Sequence, residues 1–175
     1  MTKRIKKVAV LGSGVMGSGI ACHLANSGLE VLMLDILPPN LDDQQKSNKT
    51  LRNRIADTSL ANAIKSKPAP LYDAAFATRI TTGNFEDDMD KISACDWIIE
   101  VVVERLDIKK LIFAQVDNLR KAGSLVTSNT SGIPIGQLAE GRSEDFKKNF
   151  CGTHFFNPAR YMALFEVIPH AETDA

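Results

Sequence analysis

A short apolar run, Val8-Ala9-Val10-Leu11, leads straight into Gly12-Ser13-Gly14-Val15-Met16-Gly17, and a helical pattern follows. A strand, a G-x-G-x-x-G loop and a helix in that order leave few folds open. Gly12 permits the tight turn out of the strand, and Gly14 lets the backbone approach a pyrophosphate. Gly17 lets the helix lie close against the sheet, and the helix N-terminus offers free N–H groups to an anion. A second apolar run, Val31-Leu32-Met33-Leu34, ends in Asp35. An acid roughly 20 residues past such a loop hydrogen-bonds the adenine-ribose hydroxyls of NAD. The spacing therefore predicts an NAD site that includes Gly12, Ser13, Gly14, Val15, Met16, Gly17 and Asp35.

The 175 residues suffice for about one domain with a core of its own. Short apolar runs alternate with helical patterns, which predicts an α/β fold: a doubly wound, Rossmann-type parallel sheet with right-handed crossovers. Strands are expected over about 5–11, 30–35, 79–82, 96–103 and 124–127. Helices are expected over about 15–27, 41–65 and 105–121. In the first helix, Val15, Met16, Ile20 and Leu24 share a stripe. The second is long and polar, with Asn40 as its cap and only Leu51, Ile55, Leu60 and Ile64 on its apolar side. Two further extended runs, about 150–156 and 163–168, flank a short loop at Pro158-Ala159-Arg160, so the C-terminal end is expected to include antiparallel pairing.

Several functions are disfavoured. Lys plus Arg equals Asp plus Glu at 21 each, so no net field recruits nucleic acid or anionic lipid. The basic cluster Lys3-Arg4-Ile5-Lys6-Lys7 reads as a solvated flank of the first strand. No apolar stretch reaches the roughly 18 residues of a membrane span, and no signal-peptide pattern follows the charged start. Cys22, Cys95 and Cys151 are odd in number and widely spaced, as reduced thiols of a cytoplasmic protein would be. Cys151-Gly152-Thr153-His154 has C-x-x-H spacing, but zinc needs three or four ligands. No metal is expected.

In open parallel sheets, ligands bind beyond the carboxyl ends of the strands. The glycine loop, Asp35, Glu104, Asn129-Thr130-Ser131, His154 and Asn157 all fall at such ends. His154 lies in an apolar run, and Glu166 lies in the next one, within Leu164-Phe165-Glu166-Val167-Ile168. An ionisable group in an apolar strand is costly unless paired. Paired, Glu166 would fix the His154 tautomer and make the imidazole a general base. The competing reading is a structural His–Glu strut.

These motifs together resemble one family. Gly12-x-Gly-x-Met-Gly17, Glu100-Val-Val-Val-Glu104 with Lys109, Ser128-Asn-Thr-Ser131, and Gly152-Thr-His-Phe-Phe-Asn-Pro158 with Glu166 are similar to the NAD-binding domain of L-3-hydroxyacyl-CoA dehydrogenases. The resemblance covers nearly the whole chain, as one domain over 1–175. It implies oxidation of a (3S)-3-hydroxyacyl-CoA to the 3-oxoacyl-CoA in fatty-acid β-oxidation. It implies His154 as base, Glu166 as its partner and Ser131 on the substrate oxygen. Asp35 would hold the adenine ribose; Glu104, Lys109 and Asn157 would contact NAD, and Ser131 would lie beside it. The lysine-bearing polar helix would lie where the family meets the CoA nucleotide. The segment Lys65-Ser-Lys67-Pro-Ala-Pro70 resembles long bacterial members that carry an enoyl-CoA hydratase module. The family continues into a helical domain that supplies a catalytic Asn and a homodimer interface, and the chain stops at Ala175 before it. The alternatives are a related 3-hydroxyacid dehydrogenase with a Lys base, which His154 and Glu166 disfavour, and a non-catalytic NAD-binding or structural module.

Overall fold

The computed structural model describes residues 4–174, so Lys3 of the basic cluster and Ala175 lie outside it. β1 (Lys7–Leu11) runs through the middle of the sheet, parallel to β2 (Glu30–Asp35) on one side and β4 (Trp97–Glu100) on the other. β3 (Ile80–Asn84) lies outside β2; β5 (Leu125–Ser128) and β6 (Phe150–Phe155) extend the other half. β7 (Phe165–Pro169) closes the edge antiparallel to β6, giving the order β3-β2-β1-β4-β5-β6-β7.

The pleat of β1 explains why both faces are covered. Its side chains alternate with a period of two. Val8 and Val10 join a core with Ile20, Ala21 and Leu24 of α1 (Val15–Asn26). Ala9 and Leu11 join a second core with Phe113 and Val116 of α6 (Leu106–Leu119), backed by Phe146 and Phe150. A strand buried on both sides reads as continuously apolar, as β1 does. Burying each large aliphatic side chain fully is worth about 1.5–3 kcal/mol. Val15, expected on the packing stripe of α1, is instead 75% exposed at the helix start.

The long polar helix is three pieces: α2 (Asp43–Lys46), α3 (Lys49–Arg52) and α4 (Arg54–Lys65). Caps break it. Asp42 forms a capping box with Gln45, and Asn48 accepts the N–H groups of Thr50 and Leu51. Asn40, the expected cap, stands instead in the left-handed region at φ 65°. Arg52 pairs with Asp87 at 2.6 Å in α5 (Phe85–Asp88), and Asn84 donates to Asn53 at 2.7 Å. These bonds tie the segment to the end of β3.

The fourth strand, expected over 96–103, leaves the ladder at Glu100. The Glu100 carboxylate takes the Val102 N–H at 2.7 Å, and a side chain thereby ends the pairing. After β5, two short helices, α7 (Ile135–Ala139) and α8 (Glu144–Lys148), lead back into β6.

All three cysteines are free and buried, and burial pushes Cys22 and Cys95 each up to about 11. Among the described residues, no helix is long and apolar enough to cross a membrane. Every residue of β7 is exposed. With Tyr161, Met162 and Leu164 it presents an apolar surface that includes Val167 at 61% exposure.

Candidate active site

The strand order reverses direction between β1 and β4, and the carboxyl ends there open into two adjoining clefts. The first, about 590 Å³, is lined by Gly12, Gly14, Asp35, Ile36, Phe85, Val101 to Val103, Arg105, Ile108 and Ile112. Gly12 takes φ 108°, and a Cβ there would press into the Val101 carbonyl. A Cβ at Gly17 would collide with the Gly12 carbonyl, so the helix sits as close to the loop as its backbone allows. At Gly14, by contrast, the space is open. The start of α1 has no side-chain cap and no acid in its first turn, leaving its N–H groups available to an anion.

Asp35 holds this loop in shape. Its Oδ2 accepts the Ser13 N–H at 2.6 Å and the Ser13 hydroxyl at 2.5 Å, and Oδ1 accepts the Ile36 N–H at 2.7 Å. A carboxylate has about four lone-pair positions, so acceptor capacity remains. Ser13, expected at the cofactor, faces Asp35. It is fully buried, and both its donors are committed to Asp35.

Beyond β4, Lys109, also expected at the cofactor, is enclosed. Its ammonium is 1% exposed, 2.6 Å from Glu100 and 3.3 Å from Glu104. The enclosed ammonium bridges the two carboxylates. Glu100 also accepts the Ser128 hydroxyl at 2.5 Å. Burial pushes the Glu100 carboxyl up, against the pull of Lys109 and the two other donors. Glu104 is half-exposed, and Oε1 accepts the Thr130 hydroxyl and the N–H groups of Ser131 and Gly132. Burial opposes its ionisation, but these donors and Lys109 outweigh it and hold the carboxyl below its ordinary value. One carboxylate thus fixes the loop that carries Ser131.

The second cleft, about 350 Å³, is lined by Met16, Val101, Val102, Glu104, Asn129, Ser131, His154, Phe155, Phe156 and Asn157. His154 and Glu166 are directly opposed in the β6–β7 ladder, with Nδ1 and Oε2 2.8 Å apart. An ionised carboxylate only accepts, so this contact places the hydrogen on Nδ1 and leaves the Nε2 lone pair free. Of the expected site residues, Gly12, Gly14 and Asp35 line the first cleft and Met16, Glu104, Ser131, His154 and Asn157 the second, with Glu166 bonded to His154; Ser13, Val15, Gly17 and Lys109 line neither. Glu100 and Thr130 were missed as supporting residues. The signal for Glu100 was an ionisable group among Trp97-Ile98-Ile99 and Val101-Val102, the same argument that found Glu166.

The sequence matches the family described as 3-hydroxyacyl-CoA dehydrogenase, NAD binding domain, over residues 7–175. The chain belongs to that family. It is 56% identical to a Bacillus subtilis protein named as a 3-hydroxyacyl-CoA dehydrogenase, over 99% of this chain and 23% of the relative. It is 44% identical to a Rickettsia felis protein named as a fatty acid oxidation complex trifunctional enzyme, over 96% of this chain and 22% of the relative. The crystal structure of 3-hydroxybutyryl-CoA dehydrogenase from Escherichia coli K12 superimposes with a TM-score of 0.72 at 30% identity, covering 99% of this chain and 34% of that one. The chain thus spans about a quarter to a third of the length of these proteins.

As an NAD-binding domain of the 3-hydroxyacyl-CoA dehydrogenase family, the chain has a groove that fits the cofactor. The open space at Gly14 and the uncapped start of α1 suit a pyrophosphate. Asp35, at the end of β2, suits a ribose diol.

Proposed function

We propose that this chain is the cofactor-binding part of a longer enzyme that interconverts (3S)-3-hydroxyacyl-CoA and 3-oxoacyl-CoA in fatty-acid β-oxidation. The observation that carries the reading is the His154–Glu166 pair, set in one cleft with Ser131 at the carboxyl edge of the sheet. A binding module has no use for a base oriented by a carboxylate.

Nε2 of His154 takes the proton of the substrate's C3 hydroxyl, and the Ser131 hydroxyl donates to the same oxygen. Glu166 compensates the imidazolium that results. When bound, NAD supplies the two-electron acceptor for the hydrogen on C3. The O–H bonding pair becomes the second C–O bond as the proton goes to His154 and the C3 hydrogen leaves with its own pair. Asp35 holds the adenine ribose, Gly12 to Gly17 the pyrophosphate, and Glu104 and Asn157 the nicotinamide half. Lys109 and Ser13 act behind them. The longer protein would cover the apolar surface of β7 and form a cytoplasmic homodimer through its following helical domain.

The test follows NADH absorbance as the full-length protein reduces acetoacetyl-CoA. Turnover with the CoA thioester, and much weaker turnover with free 3-oxoacids, is expected. NADH binding with no turnover of any 3-oxoacyl-CoA would leave only a binding module.

A further inference from the structure

β5 stops at Ser128, whose register partner is Gly152, whereas β6 runs on to Phe155. The Phe155 N–H therefore has no strand carbonyl on its β5 side. Asn129 fills the gap: its backbone N–H continues the β4 side by donating to the Glu100 carbonyl at 2.9 Å, and its side-chain Oδ1 accepts the Phe155 N–H at 2.8 Å. A side-chain amide thus replaces a ladder carbonyl at the residue directly after His154.

That bond also settles which way the amide faces. A backbone N–H only donates, so the oxygen of Asn129 must meet Phe155, and the NH2 end is turned away from it. Among the described residues no acceptor takes the NH2 hydrogens. Asn129 is half-buried and lines the same cleft as Ser131 and His154. Two fixed donors without a protein acceptor, beside a base and a hydroxyl, are suited to an oxygen on a bound molecule.

We propose that Asn129 is a positioning residue for His154 through Phe155, and that its NH2 group donates to the acyl-CoA's carbonyl-type oxygen in the cleft. The second half rests on the proposed function for the identity of that oxygen; the first half does not.

Two variants of the full-length protein separate the halves. Asn129→Asp keeps an oxygen for Phe155 and puts an acceptor where the donor was; Asn129→Ala removes both. Hydrogen exchange at the Phe155 amide is expected to quicken in Asn129→Ala and to stay near wild type in Asn129→Asp. Both variants are expected to lose about tenfold or more in kcat/KM for acetoacetyl-CoA, with NADH affinity, read by fluorescence titration, within about twofold. Unchanged Phe155 exchange in Asn129→Ala would overturn the positioning role. Unchanged kcat/KM in Asn129→Asp would overturn the donor role. Weakened NADH binding with an unaltered KM for acetoacetyl-CoA would assign the oxygen to the cofactor and overturn the substrate assignment. A wild type that reduces no 3-oxoacyl-CoA would sink the proposed function, while the exchange measurement would still decide the positioning role.

Discussion

His154 and Glu166 face each other across the only antiparallel pair described in the sheet, with Nδ1 and Oε2 2.8 Å apart. Directly opposed positions on neighbouring strands bring side chains within reach without help from a loop. The orientation of the imidazole is therefore built into the register of β6 and β7. Glu166→Gln is expected to lower turnover of the full-length enzyme by at least about tenfold, because an amide can offer Nδ1 either a donor or an acceptor. NADH affinity is expected to hold. Undiminished turnover would reduce the pair to a strut.

Asp35 also predicts cofactor choice. A carboxylate at the ribose repels a 2′-phosphate by about 1–4 kcal/mol at contact distances. Ile36-Leu37-Pro38 brings no guanidinium, and Arg105, which lines the same groove, is paired with Asp107. NADH is expected to bind at least about tenfold more tightly than NADPH in parallel fluorescence titrations. Equal binding would remove Asp35 from the ribose.

Glu100 and Lys109 are both almost fully enclosed, so removing Glu100 leaves the ammonium with only the half-exposed Glu104 as a partner. Glu100→Ala is expected to destabilise the fold by about 3–5 kcal/mol in urea denaturation. Glu100→Gln combined with Lys109→Met is expected to cost less than Glu100→Ala alone, since no enclosed charge is left behind and Glu104 is half-exposed. A double variant worse than the single one would show that the pair's worth lies in its attraction.

The pH dependence of stability should carry the mark of Asp96. Lys121 and the backbone N–H groups of Lys6 and Lys7 hold its carboxyl down to about 2 from an ordinary 3.8. A depressed folded value means that the bonds to its charged form stabilise the fold above about pH 4 and are lost as pH falls toward 2. The unfolding free energy is expected to drop over that window, by about 1–2 kcal/mol after solvent screening. Asn at this position is expected to flatten the drop. A wild-type curve flat between pH 4 and 2 would contradict the pairing.

The strands and the residues gathered at their carboxyl ends were legible because apolar runs and strand-end residues obey local rules. Val8 to Leu11 is apolar on both faces, and only a strand covered on both sides needs that. The helix over 41–65 was misread because Asp42 and Asn48 are helix caps, and caps placed within a helical pattern break it. Ser13 and Lys109 have residue types that suit a ligand, yet both are spent on carboxylates brought near by the fold. Asn129 was visible at a strand end, but its bond to Phe155 depends on β5 ending sooner than β6. That mismatch exists only in three dimensions.

Whether His154 is the base of a dehydrogenase is decided by one comparison. The full-length protein and its His154→Gln variant would be assayed side by side for acetoacetyl-CoA reduction, with NADH affinity measured on each. Turnover is expected in the wild type, with a loss of about 10²–10⁴-fold in the variant and equal NADH binding. A variant that keeps near-normal turnover would contradict that role.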